Sequence, residues 1–171
     1  AAIRIGRLAD SALVSRRLAA ATRLVVAAPD YLRRRGLPLE PAELAGHDCL
    51  HYSYFRGGRT WRFRHDDGRQ AEVRIRGRLE MNNGDALIAV AAAGHGIAAM
   101  PSFIALRALA EGRLVRLLPG WNDAEETAIH LVYPARRNLL PKVRAFVDFL
   151  AAAIGDPAPW ERDLPEAVTA L

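Results

Sequence analysis

The sequence predicts an α/β fold with at least one mixed sheet. Three observations carry that reading. Strand-like apolar runs alternate with helix-start signals along most of the chain. Several of those runs, residues 23–27 and 97–100 among them, are almost wholly apolar, as strands are when both faces of a sheet are covered. Residues 61–76 instead alternate with period 2, the pattern of a hairpin with one wet face.

The elements follow in order. Ala2-Ile3-Arg4-Ile5 reads as a strand leaving into a turn at Gly6. Residues 23–27 form the next strand and run into Pro29-Asp30, where proline and an acid favour a first helical turn; Gly36 stops that short helix. Pro41 opens another short helix ending at Gly46, and a strand follows across residues 49–54. In the hairpin, a three-residue loop at Asp66-Asp67-Gly68 with Gly68 left-handed sets Trp61 opposite Val73, Phe63 opposite Ala71 and Arg62 opposite Glu72. A loop one residue longer would put arginines on the apolar face. Residues 79–82 continue as a strand, and Asn82-Asn83-Gly84-Asp85 caps a helix that runs to Ala93 and ends at Gly94. A buried strand at 97–100, a helix from Pro101-Ser102 to Gly112, and strands at 113–118 and 127–133 follow. Pro141 starts an amphipathic helix with an apolar stripe of Val143, Phe146, Val147, Phe149 and Leu150. From Gly155 the composition turns to proline and acid, as in a frayed tail.

With 171 residues, the chain is long enough for one domain or two small lobes, and the 51% of hydrophobic residues supplies a core. The single cysteine, Cys49, excludes an internal disulfide framework and fits a reducing compartment. The richest apolar segment, residues 86–100, is broken by Gly94-His95-Gly96, so no membrane span is expected. The opening residues lack the basic start and cleavage site of a secretion signal, which points to the cytoplasm. A net charge of +5 invites a nucleic-acid reading. The positive charge is nearly all arginine, with Lys142 the only lysine, and heavy arginine and alanine usage is what a GC-rich genome tends to produce.

Few motifs carry chemistry. His47-Asp48-Cys49-Leu50-His51 places three zinc-ligand types at alternate positions. One strand cannot readily surround a tetrahedral ion, and no second cluster completes the set, so packing is the expected role and no metal or cofactor is assigned. No G-x-S-x-G, H-E-x-x-H or phosphate-loop pattern occurs. Gly94-His95-Gly96 follows a helix and precedes a strand, the reverse of a phosphate loop. The hairpin arginines alternate with apolar residues, as on a solvated sheet face. Asn82-Asn83-Gly84-Asp85 is the best functional signal: a polar turn feeding a helix presents free N–H groups and carboxamides that suit a small polar or anionic ligand. The same residues also serve as an ordinary cap.

Several of these stretches together resemble LysR-type transcription regulators, specifically their effector-binding domain. The resemblance runs in order through Ala2-Ile3-Arg4-Ile5-Gly6, Val25-Val26-Ala27-Ala28-Pro29-Asp30-Tyr31-Leu32, Pro41-Ala42-Glu43-Leu44 with His47-Asp48-Cys49-Leu50, and Ala92-Ala93-Gly94-His95-Gly96-Ile97 up to Pro101. It continues through Gly112-Arg113-Leu114-Val115 to Val132-Tyr133-Pro134 and residues 141–150. It implies a two-lobed fold of the type II periplasmic-binding-protein kind with mixed sheets and an incomplete first lobe. Residues 23–130 would form the second lobe, residues 1–22 and 131–152 the remnant of the first, and residues 153–171 a flexible tail.

The resemblance further implies a sensor, not an enzyme. A small-molecule effector, such as an organic acid or an aromatic metabolite, would bind between the lobes. Its ligands would be Asn82, Asn83 and Gly84, with Arg7 facing them from the other lobe. The intact protein would be a homodimer or homotetramer that reaches DNA through a separate N-terminal domain. The alternative is a solute-binding protein of a transport system, which shares the architecture.

Overall fold

The computed structural model describes residues 1–6, 13–55, 57–125, 127–134, 140–155, 157–162 and 164–170. In chain order the first elements are β1 (Ala2–Ile5), β2 (Leu13–Ala20), β3 (Arg23–Ala27), α1 (Pro29–Arg35), a short 3-10 helix (Pro41–Gly46) and β4 (Cys49–Tyr52). Next come β5 (Thr60–His65), β6 (Gln70–Arg74), β7 (Glu80–Met81), α2 (Gly84–Ala92), β8 (Ile97–Pro101) and α3 (Ser102–Ala110). The chain finishes with β9 (Val115–Arg116), β10 (Trp121–Asp123), β11 (Ala128–Pro134), α4 (Pro141–Ile154) and α5 (Pro159–Arg162). Contacts divide it into unit 1, residues 1–22 with 126–163, and unit 2, residues 23–125 with 164–171.

Unit 1 is an antiparallel three-stranded sheet in the order β1-β11-β2, with a register irregularity between Ile129 and His130. β2 has no counterpart in the sequence reading, because Ser15-Arg16-Arg17 interrupts its apolar residues and removes any clean alternation. α4 is tied to β2 by an ion pair between Arg16 and Asp148 at 2.8 Å. Of the predicted apolar stripe on α4, Val147 is buried, Val143 and Leu150 are half-buried, and Phe146 and Phe149 are exposed. The stripe is wider than the three-stranded surface available to it.

Unit 2 is built on a five-stranded sheet in the order β7-β4-β8-β3-β9. β4 pairs in parallel with both β7 and β8, whereas β3 is antiparallel to β8 and β9, so the sheet is mixed. Leu24, Val26, Leu50, Ile97 and Met100 are all buried in this layer. Each such side chain contributes about 2 kcal/mol of burial free energy. A second sheet, β10-β5-β6, packs its inner face into the same core through Trp61, Phe63, Val73 and Trp121. The hairpin has the predicted register: Trp61 pairs with Val73, Arg62 with Glu72 and Phe63 with Ala71. Gly68 takes φ 93°, and its N–H donates to the His65 carbonyl at 2.9 Å. Three-residue β10, directly after Pro119-Gly120, was too short to read from sequence.

The stretch beyond Gly155, expected as a tail, is engaged on both units. In unit 1, the Thr22 N–H donates to the Glu161 carboxylate at 3.0 Å. In unit 2, the Val168 N–H donates to the Arg116 carbonyl at 2.9 Å, and Leu164 and Val168 pack on the core. Two apolar side chains and one free backbone edge suffice to hold an otherwise acidic segment.

Two backbone approaches fix the start of β4. A Cβ on Gly77 would overlap the Cys49 carbonyl, and one on Gly96 would overlap the Asp48 carbonyl. Gly77→Ala is therefore expected to destabilise by about 3 kcal/mol or more in urea unfolding, since backbone cannot step aside. Gly46→Ala, with open space around it, is expected to stay within about 0.5 kcal/mol. Cys49 itself is fully buried, and burial pushes its thiol up to about 12. The group stays a neutral thiol through the ordinary pH range, so iodoacetamide at pH 8 should label the folded protein at least about 100-fold more slowly than the protein in denaturant.

Candidate functional site

Because β4, β7 and β8 run in parallel, their carboxyl ends lie along one edge of the unit 2 sheet. Past the strand ends the pairing persists: the Ser53 N–H donates to the Met81 carbonyl at 2.9 Å. Two nine-residue helices start from this edge, α2 after β7 and α3 after β8. Each presents first-turn N–H groups that no helical carbonyl satisfies, and the summed peptide dipoles leave partial positive charge there. The crevice outside the carboxyl ends of strands is where open α/β sheets bind ligands.

Asn83 is the N-cap of α2, with extended backbone, and its side-chain oxygen accepts the Ala86 N–H at 3.0 Å. The cap commits that oxygen and leaves the NH2 of Asn83 to donate outward. Asn82 precedes it and is exposed. At Gly84 a Cβ would lie 2.7 Å from Met100 Cε and 2.9 Å from Ile104 Cδ1, the mobile ends of two side chains that can shift. Its absence lets the first turn of α2 lie against the end of β8 and the start of α3. Asp85 is exposed in the first helical turn, where it complements the dipole and disfavours an anion at close range. The structure thus brings Asn82, Asn83 and Gly84 together at one helix start. Arg7, the fourth predicted ligand, lies outside the described residues.

The alternate trio His47, Cys49 and His51 does not converge on a common point. The His47 Nδ1 lies 3.1 Å from the Tyr31 hydroxyl, which also accepts the Asp48 N–H at 3.0 Å. Cys49 Sγ is 3.6 Å from the Leu44 carbonyl. Burial lowers His47 from the ordinary imidazole value. His51 is 5% exposed, with Nδ1 3.1 Å from Glu80 Oε2. His51, with Ser53 and Arg59 beside it, holds the Glu80 carboxyl below the usual carboxylate value. Among the described residues, no group of three or more histidines, cysteines or acids is placed to hold a metal ion.

The His51–Glu80 contact was invisible in the sequence because it needs the parallel register of β4 with β7, which pairs residues 29 positions apart. Ser102, fully buried at the start of α3, was likewise read only as a helix opener. The hairpin arginines behave as a solvated face: Arg62 pairs with Glu72 at 2.8 Å and lies 3.7 Å from Glu125. Among the described residues, no helix is long and apolar enough to cross a membrane.

Comparison with known proteins gives the family and the fold. Residues 1–155 match the family described as the LysR substrate binding domain. The HTH-type transcriptional regulator PtxR of Pseudomonas aeruginosa is 38% identical over 156 residues, covering 90% of this chain and 49% of the relative. The regulator CrgA of Neisseria meningitidis is 31% identical over 155 residues, 91% of this chain and 51% of the relative. This chain spans about half the length of the curated relatives it matches. Among solved structures, the full-length Vibrio cholerae virulence activator AphB matches with a TM-score of 0.76 at 27% identity, over 88% of this chain and 50% of that one. The CrgA regulatory domain matches with a TM-score of 0.75 at 29% identity, over 90% of this chain and 75% of that one. These neighbours are regulatory domains of two-lobed periplasmic-binding-protein-like fold, and the relatives regulate transcription, which sets aside the transport reading. The chain belongs to the LysR substrate-binding-domain family and is an effector-binding domain of the kind carried by LysR-type transcription regulators.

Proposed function

We propose that a small molecule binds at the carboxyl edge of the unit 2 sheet, held by Asn82, Asn83 and Gly84, with Arg7 as a fourth ligand. The observation that supports this is the start of two nine-residue helices at one strand edge, with an exposed pair of carboxamides beside them. Helix-start dipoles, two exposed carboxamides and an arginine suit a small organic acid or an aromatic metabolite bearing an acceptor group. Asp85 sets a limit, since a highly charged anion would be repelled there.

The molecule acts by binding two states of the domain with different affinity, and it can shift their balance only by that difference. In the intact protein, a homodimer or homotetramer in the cytoplasm, the shift alters DNA binding by a separate N-terminal domain and so changes transcription. No turnover of the effector and no cofactor is involved in this reading.

A thermal-shift screen of organic acids and aromatic metabolites on the intact protein tests it. A ligand at 100 times its Kd should stabilise by about 2.7 kcal/mol, and a screen in which no compound raises the melting temperature would count against the reading. Asn83→Ala should cost about 1 kcal/mol of stability through the lost cap and should weaken the effector response while operator binding stays near wild type. Asn83→Ser keeps a capping oxygen, so it should recover the stability but not the response. Equal responses from wild type and both variants would remove Asn83 from the site.

A further inference from the structure

The chain enters unit 2 at Arg23, and Asp123 lies two residues before it leaves at Glu125. These two residues, 100 positions apart, form the one ion pair among the described residues whose side chains are both under a tenth exposed, at 8% and 7%. Arg23 Nη2 donates to Asp123 Oδ1 at 3.1 Å, and Arg23 Nε lies 2.7 Å from Oδ2 in a charge contact without hydrogen-bond geometry. The Phe55 ring covers the guanidinium at 3.8 Å, and Trp61 lies at 5.9 Å. Asp123 Oδ1 also accepts the Glu125 N–H at 3.2 Å, which fixes the carboxylate to its own exit turn.

The pair stands at the edge where the helices start. Arg23 is paired in register with Pro101, the last residue of β8, immediately before α3. Phe55 belongs to the turn that follows β4, the neighbouring parallel strand. Entry, exit and the strand edge therefore share one buried point.

Burial works against both charges, lowering Arg23 from the usual guanidinium value and raising the Asp123 carboxyl, while each partner's charge opposes the effect. A buried pair of this kind adds little stability over two apolar side chains of similar volume. What the pair supplies is position, because a planar guanidinium held against the Phe55 ring and a carboxylate tied to its own exit turn can meet in few orientations.

We propose that the Arg23–Asp123 clamp is a positioning device that locks the entry and exit of unit 2 together at the effector-binding edge, so that a change at that edge reaches both connections at once. The word effector rests on the function proposed above; the lock between entry and exit does not.

Hydrogen exchange on the intact, ligand-free protein tests the lock. The double substitution Arg23→Met with Asp123→Leu removes both charges and keeps the site apolar. Its melting temperature should stay within a few degrees of wild type. Amides at residues 21–23 and 123–125 should exchange at least tenfold faster, while those of residues 49–50 and 97–100 stay unchanged. Unchanged exchange at both connections overturns the proposal, and so does an equal acceleration in the core strands, which marks general loosening. Should the double variant fail to fold, Arg23→Lys keeps the charge, loses the planar guanidinium and reads the same contrast. With a compound from the thermal-shift screen, the double variant should still be stabilised but should transmit less than a third of the wild-type change in operator binding. Full transmission overturns the coupling. A screen without hits bears on the effector reading alone, and the exchange result still decides the lock.

Discussion

β4 runs between two backbones that approach it more closely than any side chain would permit. Gly77, ahead of β7, and Gly96, ahead of β8, both press on the carbonyls at the start of the strand. Their neighbours complete the contact: the Cys49 N–H donates to the Arg76 carbonyl at 2.7 Å and the Ile97 N–H to the Asp48 carbonyl at 2.9 Å. Parallel strands have no turn to set their register, so it must come from contacts of this kind. Once β4 is placed, the ends of β7 and β8 are placed, and with them the starts of α2 and α3.

The electrostatics of the edge follow from that placement. Two helix starts bring the positive ends of their dipoles to one edge, where Asp85 and Glu80 carry opposing charge. Glu80 is partly neutralised by Arg59 at 3.3 Å and lies beside His51. Asn83 has two tasks at once. Its oxygen caps α2, and in the proposed site its amide would donate to the effector, so stability and the proposed recognition rest on different atoms of one side chain.

Much of the local structure was legible in the residues. The hairpin register followed from period-2 alternation and one glycine at a left-handed position, because a one-residue slip would have turned arginines inward. The α2 cap followed from Asn83 and the helix stop from Gly94. Where neighbouring elements override local pattern, the reading failed. β2 is a strand by virtue of pairing with β11, despite its polar centre, and β10 is a strand because β5 offers it an edge. The stripe on α4 reported amphipathicity correctly but could not report how much of it would be covered.

The sequence by itself determined the family, the α/β class and the helix start that carries Asn82, Asn83 and Gly84, because each is encoded in spacing over a few residues or in an ordered set of short motifs. Only the tertiary structure decided which of those pieces share an edge. Arg23 and Asp123, His51 and Glu80, and Gly84 and Met100 meet across 16 to 100 positions. Such contacts are fixed by strand register and sheet order, and no local periodicity carries that information.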